Sequence, residues 1–274
     1  MPELPEVETV CKGLSAHLTG KRITQLELNR NDLRFPFPDD LKSVEGREVI
    51  AIHRRAKYIL IRLEDDLTML VHLGMSGRFR FHEQPVSHEK HDHVIIHLDD
   101  GSIAIYTDPR RFGVIDLIYE EDNHRLLNHL GPEPLSTLWN GDIFMKSLRE
   151  RKVSIKSALM NQKIVVGVGN IYASEALFLA KVSPNRKACN ISLPQANRIH
   201  HATVQILENA ITAGGSTLRD GQFTDIEGEL GYFPHQFAVY DREGLECVNP
   251  NCTKLVKKSV HQGRSTYHCT ACQR

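Results

Sequence analysis

The segment Gly131-Pro132-Glu133-Pro134 divides the chain into two kinds of sequence. Two prolines around so few residues deny the backbone its helix donors, so the segment reads as a linker. Before it, short runs rich in β-branched residues recur: 23–28, 49–53, 58–63, 68–73, 78–81, 93–98, 102–107 and 114–119. Turn signals such as Asp65-Asp66, Gly74, Asp99-Asp100-Gly101 and Asp108-Pro109 separate them, the pattern of an antiparallel sandwich or barrel. One helix precedes these runs, because Val7, Val10, Cys11, Leu14 and Leu18 keep helical spacing behind Pro5. After the linker the period changes, and 143–149, 154–160, 171–180 and 193–213 read as helices. Residues 214–235 are polar and aperiodic, the composition of a mobile loop. The expected fold class is therefore two-domain α+β: an N-terminal antiparallel β-sandwich or barrel with a flanking helix, then a helical domain.

Four of the six cysteines crowd the C-terminal segment as Cys247-x4-Cys252-x16-Cys269-x2-Cys272. Nothing in the sequence suggests secretion: no basic region precedes an apolar stretch at MPELPEVE, and no run approaches the ~18 apolar residues of a membrane helix. A cytoplasmic protein is expected, and in that compartment four clustered thiols mean metal rather than disulfides. The expectation is one structural Zn2+ held by Cys247, Cys252, Cys269 and Cys272 across a β-hairpin made of 255–261 and 265–268. Cys11 and Cys189 stand alone and read as buried small apolar residues.

Charge is informative only locally, since 34 Lys+Arg balance 34 Asp+Glu over 274 residues. The cysteine segment carries Lys254, Lys257, Lys258, Arg264 and Arg274 and no acid, as a phosphate-facing surface would. Arg149, Arg151, Lys152, Lys156 and Lys163 surround one acid, Glu150. A Gly167-x-Gly169-Asn170 turn then opens a helix, whose free amides suit phosphate. Asp108-Pro109-Arg110-Arg111-Phe112-Gly113 sets two guanidiniums and an aromatic on an inter-strand turn. It reads either as a phosphate grip with a wedge for a base stack or as a salt-bridged hairpin over a core Phe. Gly74-Met75-Ser76-Gly77 is a second such loop, which in isolation reads as a tight turn with a buried Met. Lys57, in Arg54-Arg55-Ala56-Lys57-Tyr58, reads alone as a surface lysine. His91-Asp92-His93 suits a phosphate contact or a loop brace better than a second metal.

If Met1 is removed, the chain begins Pro2-Glu3 and exposes a secondary amine with a reference pKa near ~8. Such an amine can attack an electrophilic carbon and form an iminium, with Glu3 placed for proton transfer. The plainer reading is that the early carboxylates complement a helix dipole.

Together these segments resemble the bacterial formamidopyrimidine-DNA glycosylases. The matching stretches are PELPEVET at 2–9, RRAKYIL at 54–60, HLGMSG at 72–77, KHDH at 90–93 and YTDPRRFG at 106–113. They continue with HLGPEPL at 129–135, VVGVGNIYASEALF at 165–178, GELGYF at 228–233 and GRSTYHC at 263–269. The resemblance implies a monomeric, bifunctional base-excision repair enzyme acting on double-stranded DNA with oxidised purines or abasic sites. It implies a catalytic β-sandwich over 1–130, a linker over 131–141, a helix-two-turn-helix domain with a lesion-capping loop over 142–235, and a zinc finger over 236–274. By motif, Pro2 is the Schiff-base nucleophile and Glu3 the proton-transferring carboxylate. Lys57 and Arg264 serve β- and δ-elimination. Asn170 and Arg264 clamp phosphates. His91, Arg110 and Arg151 contact DNA. Met75, Arg111 and Phe112 fill the void left by an extruded nucleotide. One departure is the first cysteine arm, with four residues between Cys247 and Cys252 where the family commonly has two.

Two other readings stay open on sequence. An endonuclease VIII-like enzyme for oxidised pyrimidines shares the Pro-Glu start, the lysine and the zinc finger; Leu4, Val7, Glu8, Met75, Arg111 and Phe112 favour the purine-directed branch. A non-catalytic zinc-containing DNA-binding protein would have no need of Pro2, Glu3, Lys57 and Arg264 together.

Overall fold

The computed structural model describes residues 2–119, 124–216, 226–228 and 237–274. The chain forms two compact units, Met1–Asn128 with Ala213–Tyr232, and His129–Thr212 with Phe233–Arg274.

The first unit opens on helix α1, Leu4–Leu18. Pro5 pre-sets the first turn, and Glu3 and Glu6 form a reciprocal capping box, Glu6 Oε2 accepting the Glu3 N–H at 2.8 Å. Among the described residues eight strands follow: β1 Ile23–Leu28, β2 Val49–Arg55, β3 Tyr58–Leu63, β4 Thr68–His72, β5 Arg78–His82, β6 Asp92–Leu98, β7 Ile103–Thr107 and β8 Val114–Ile118. Each matches an expected run to within one or two residues. They build two antiparallel sheets, β1-β6-β7-β5 and β2-β3-β4-β8. Leu26, Phe79, Val94 and Tyr106 of the first share one core with Ile52, Ile59, Met69 and Leu117 of the second, closed by Val7, Val10, Leu14 and Leu18 of α1. That is the expected sandwich with its flanking helix. Most of the loop expected over 214–235 lies outside the described residues. Its described middle is anchored rather than mobile. Ile226 is 3% exposed within the core, its carbonyl accepts the Phe81 N–H at 3.1 Å, and Glu227 faces His17 at 3.3 Å.

The second unit contains α2 Gly141–Leu148, α3 Ile155–Leu159, α4 Asn170–Leu179 and α5 Leu193–Thr212, then the hairpin β9 Lys257–His261 and β10 Arg264–His268. Helix α4 is apolar nearly all round and buried from Ile171 to Leu177, packed between α3, α5 and the hairpin strand β10, while α2 packs on α5. Its one buried acid, Glu175, has its pKa raised by burial and accepts the N–H groups of Ala238, Val239 and Tyr240 at 2.8, 3.0 and 2.7 Å. Those bonds tie α4 to the segment that leads into the cysteine module. Cys11 is buried as expected, but Cys189 is only half-buried, on a short 3-10 turn with Asn190. Among the described residues, no helix is long and apolar enough to cross a membrane.

Candidate active site

Pro2 and Glu3 are both buried, Glu3 at 2% exposure, directly ahead of α1. The capping box fixes Glu3 through its main chain and its carboxylate, so the residue beside Pro2 has little freedom. The helix-capping reading of these acids therefore holds, and it also gives the N-terminus a defined position.

Lys57 is the second residue of a two-residue turn joining β2 to β3, where Arg55 pairs with Tyr58 and Ala56 takes φ +55°. It is 8% exposed, so the surface-lysine reading fails. Tyr58 pairs across β3 and β4 with His72, and their rings lie 4.9 Å apart. Burial, then the positive charges of Lys57 and Arg34, pulls the His72 ring from 6.5 to about 4. The neutral ring accepts the Gly74 N–H on Nδ1 at 3.0 Å, which sets the start of the Met75 loop. His72 was absent from the expected residues. The strand pattern gave its position but not the buried charge beside it.

The Met75 loop and the Arg110-Arg111-Phe112 loop emerge together. Met75 is partly exposed rather than buried as in a plain tight turn. Phe112 is 45% exposed, so it is not a core residue, and the Arg110 guanidinium lies over its ring at 5.1 Å. Arg110 and Arg111 are exposed, Arg111 at φ +57°. His91 is half-exposed, its ring edge-on to buried His93 at 6.3 Å. An exposed aromatic flanked by cations and a flexible thioether suits a stacked polyanion.

In the second unit, Asn170 opens α4 and is partly exposed, and Arg264 is the exposed first residue of β10. Gln262 and Gly263 form the two-residue turn before Arg264, both at positive φ (+49° and +73°), as a tight hairpin of this twist requires. Arg151 is exposed after α2, its Nε donating to Ser147 O at 2.8 Å. Lys156 corrects the sequence reading. Instead of joining a solvated basic face it is 2% exposed, and its Nζ donates to Asn170 Oδ1, Ser265 O and Thr266 Oγ1 at 2.7, 2.8 and 2.9 Å. Because the ammonium only donates, it fixes the Asn170 carbonyl inward and leaves the NH2 as the outward donor. One buried cation thus couples α3, the start of α4 and the hairpin carrying Arg264. A cavity of about 240 Å³ lined by Lys156, Asn161, His261, Arg264 and Thr266 lies at this junction. Charge counting could not distinguish this lysine from its exposed neighbours, because burial is a tertiary property.

The sulfurs of Cys247, Cys252, Cys269 and Cys272 lie within 4.8 Å of one another, with Cys247 and Cys272 at 3.8 Å and Cys252 and Cys269 at 3.6 Å. A tetrahedral ion with bonds of ~2.3 Å to sulfur needs sulfur pairs ~3.8 Å apart. The site fits one metal ion, and the four-residue arm between Cys247 and Cys252 does not prevent it.

Family models match over most of the chain: the formamidopyrimidine-DNA glycosylase N-terminal domain over residues 1–115 and the formamidopyrimidine-DNA glycosylase H2TH domain over 130–222. The formamidopyrimidine-DNA glycosylase of Paracoccus denitrificans is 46% identical over 282 residues, covering 100% of both chains. That of Gluconobacter oxydans is 45% identical over 282 residues, again with 100% of both covered. Among solved structures, the MutM (Fpg) protein of Thermus thermophilus superposes with a TM-score of 0.89 at 37% identity, covering 99% of this chain and 98% of that one. Lactococcus lactis Fpg in complex with abasic-site DNA gives 0.90 at 32% identity, with 99% of each chain covered.

Proposed function

The chain belongs to the formamidopyrimidine-DNA glycosylase family, and from that premise we propose that Pro2 carries out its reaction, removal of oxidised purines from duplex DNA followed by cleavage at the resulting abasic site. The observation that carries the assignment of the nucleophile is Pro2 held immediately ahead of a capping box that immobilises Glu3. The secondary amine of Pro2, once Met1 is removed, attacks the sugar's anomeric carbon as the glycosidic bond breaks. The base departs with its electron pair and takes up a proton. The amine loses its N–H proton and the sugar's C1′–O4′ bond breaks, O4′ taking up a proton as the nitrogen lone pair forms an iminium. This iminium acidifies the adjacent sugar protons, so excision and strand cleavage proceed in one site. Glu3 transfers protons during ring opening and attack. Lys57 and Arg264 assist the successive β- and δ-eliminations.

Attack requires the damaged nucleotide outside the stack, which costs a few kcal/mol. Met75, Arg111 and Phe112 fill the vacated space, and His91, Arg110, Arg151, Asn170 and Arg264 hold phosphates, offsetting that cost. Zinc bound by the four thiolates is a structural crosslink that shapes the hairpin beneath Arg264. On this reading the functional segments are a catalytic sandwich 1–130, a linker 131–141, a helix-two-turn-helix with capping loop 142–235 and a zinc finger 236–274, the stretch Ala213–Tyr232 of the third belonging to the first compact unit. The protein acts as a cytoplasmic monomer on nucleoid DNA.

Borohydride trapping on duplexes containing 8-oxoguanine, thymine glycol or an abasic site tests this reading, after mass spectrometry establishes an N-terminus at Pro2. An N-terminal tag or retained Met1 should abolish the adduct, because acylation removes the basic lone pair, while most lesion-duplex affinity persists. Pro2→Gly keeps a primary amine and should trap slowly. A normal trapping rate with Met1 retained would move the nucleophile to a lysine, with Lys57 first. Faster trapping on thymine glycol than on 8-oxoguanine would place the enzyme in the pyrimidine-directed branch.

A further inference from the structure

In the sequence Asp108 is only a turn signal, yet in the fold it is 0% exposed and bonded in every direction. Its Oδ1 accepts the Ser76 hydroxyl at 2.6 Å and the Arg110 N–H at 3.3 Å. Its Oδ2 accepts the Gly113 N–H at 2.8 Å, with the buried Tyr106 hydroxyl at 3.5 Å. Its N–H donates to His91 O at 3.1 Å, and its own carbonyl accepts from Arg111 N–H at 3.2 Å and His93 Nε2 at 2.9 Å. One residue therefore joins three loops, and those loops carry Met75, His91, Arg110, Arg111 and Phe112.

The joint is steric as well as polar. Gly74 has φ +64°, and a Cβ there would sit 2.4 Å from the Phe112 carbonyl carbon and 2.5 Å from the Gly113 nitrogen. The Met75 loop thus lies backbone against backbone on the Phe112 loop, with no room for a side chain between. Ser76 Oγ closes the contact by also accepting the Arg110 N–H at 3.1 Å.

We propose that Asp108 is a positioning residue for base extrusion, locking Met75, Arg111 and Phe112 into one preorganised insertion platform. The proposal rests on the reading of those three residues as the void fillers. Insertion into a base stack is opposed by the entropy of ordering the inserting loops, and a platform already ordered in the free enzyme avoids that loss. The need for a carboxylate follows from the donors. Arg110 N–H faces one oxygen and Gly113 N–H the other, and neither can turn into an acceptor. An asparagine in either flip would set an NH2 against an N–H.

The test uses the full-length enzyme with Asp108→Asn, Ser76→Ala and, as a control on the underlying reading, Phe112→Ala. Single-turnover excision from an 8-oxoguanine duplex is compared with strand cleavage at a preformed abasic site, which has no base to extrude. Asp108→Asn should slow excision about 10- to 100-fold and Ser76→Ala about 3- to 10-fold, each at least about 3-fold more than it slows abasic-site cleavage, which shares the Arg110 phosphate contact but has no base to extrude. Wild-type excision by Asp108→Asn overturns the proposal. If that variant does not fold, wild-type excision by Ser76→Ala does so. Equal losses on both substrates also overturn it, since they mark a general packing defect. If Phe112→Ala lacks the selective loss, the void-filling reading itself is wrong. If Phe112→Ala shows it and the other two variants do not, only the role of Asp108 falls.

Discussion

Lys156→Met is the most informative single change outside the N-terminus. The substitution keeps the length and apolar stem but removes the donors to Asn170, Ser265 and Thr266. A single charge-assisted bond contributes about 1.5–3 kcal/mol net. Three bonds to one ammonium do not add, because they share the cost of several kcal/mol for holding that ammonium out of water. All three acceptors are neutral, so none of them is left as an orphaned charge. The net loss expected is about 1–3 kcal/mol, a fall in melting temperature of roughly 3–10 °C for a domain of this size. The functional effect runs through Asn170. Without the ammonium its amide takes either flip, and one flip turns a carbonyl toward phosphate. A loss near 1 kcal/mol there weakens abasic-analogue duplex binding about 5- to 10-fold. Fluorescence anisotropy at several KCl concentrations separates this from a direct contact. Removing a cation that touches phosphate lowers the magnitude of the log–log salt slope by about 0.9, whereas removing a buried positioning cation leaves the slope intact. Unchanged affinity would refute the positioning of Asn170, and a slope reduced by about one would put Lys156 on the DNA.

Other variants probe the remaining parts. Cys269→Ser should lower bound zinc and DNA affinity while the sandwich stays folded, since the thiolates close a local hairpin; stoichiometric zinc in that variant, read by atomic absorption, would remove the site as drawn. Arg264→Ala should weaken lesion-DNA binding and slow strand cleavage, and wild-type activity across a range of salt would exclude it from the phosphate clamp. His72 has a folded pKa of about 4, below the 6.5 of an ordinary ring, so the unfolded chain takes up this proton first as pH falls. Its contribution to stability is full above 6.5, declines from 6.5 to about 4 and levels off below, with a slope of at most about 1.4 kcal/mol per pH unit. His72→Gln should flatten that part of the acid limb in urea midpoints, and an unchanged limb would reassign the slope.

Secondary structure was legible in the sequence because it depends on neighbours a few residues apart. The alternation of Ile59, Ile61 and Leu63 against Arg62 and the spacing of Val7, Val10, Leu14 and Leu18 report which face is apolar, and burial followed as expected. The cysteine site was legible for the same reason: its ligands are paired by short spacings, and a four-residue arm still lets the sulfurs close to within 4.8 Å. Motif resemblance supplied Pro2, Glu3, Lys57 and Arg264 by position, without saying what holds them. Only the tertiary structure decided that. Lys156 and Arg151 look alike in a charge count, yet one is sealed under β10 and the other is exposed, because helix α3 turns the first toward the hairpin. Asp108 reads as a turn residue until residues 32 and 15 positions away in sequence, Ser76 and His93, arrive beside it. Desolvation is the physical reason. A polar group's role depends on whether water or protein satisfies it, and that is settled by packing between distant segments, which local sequence does not encode.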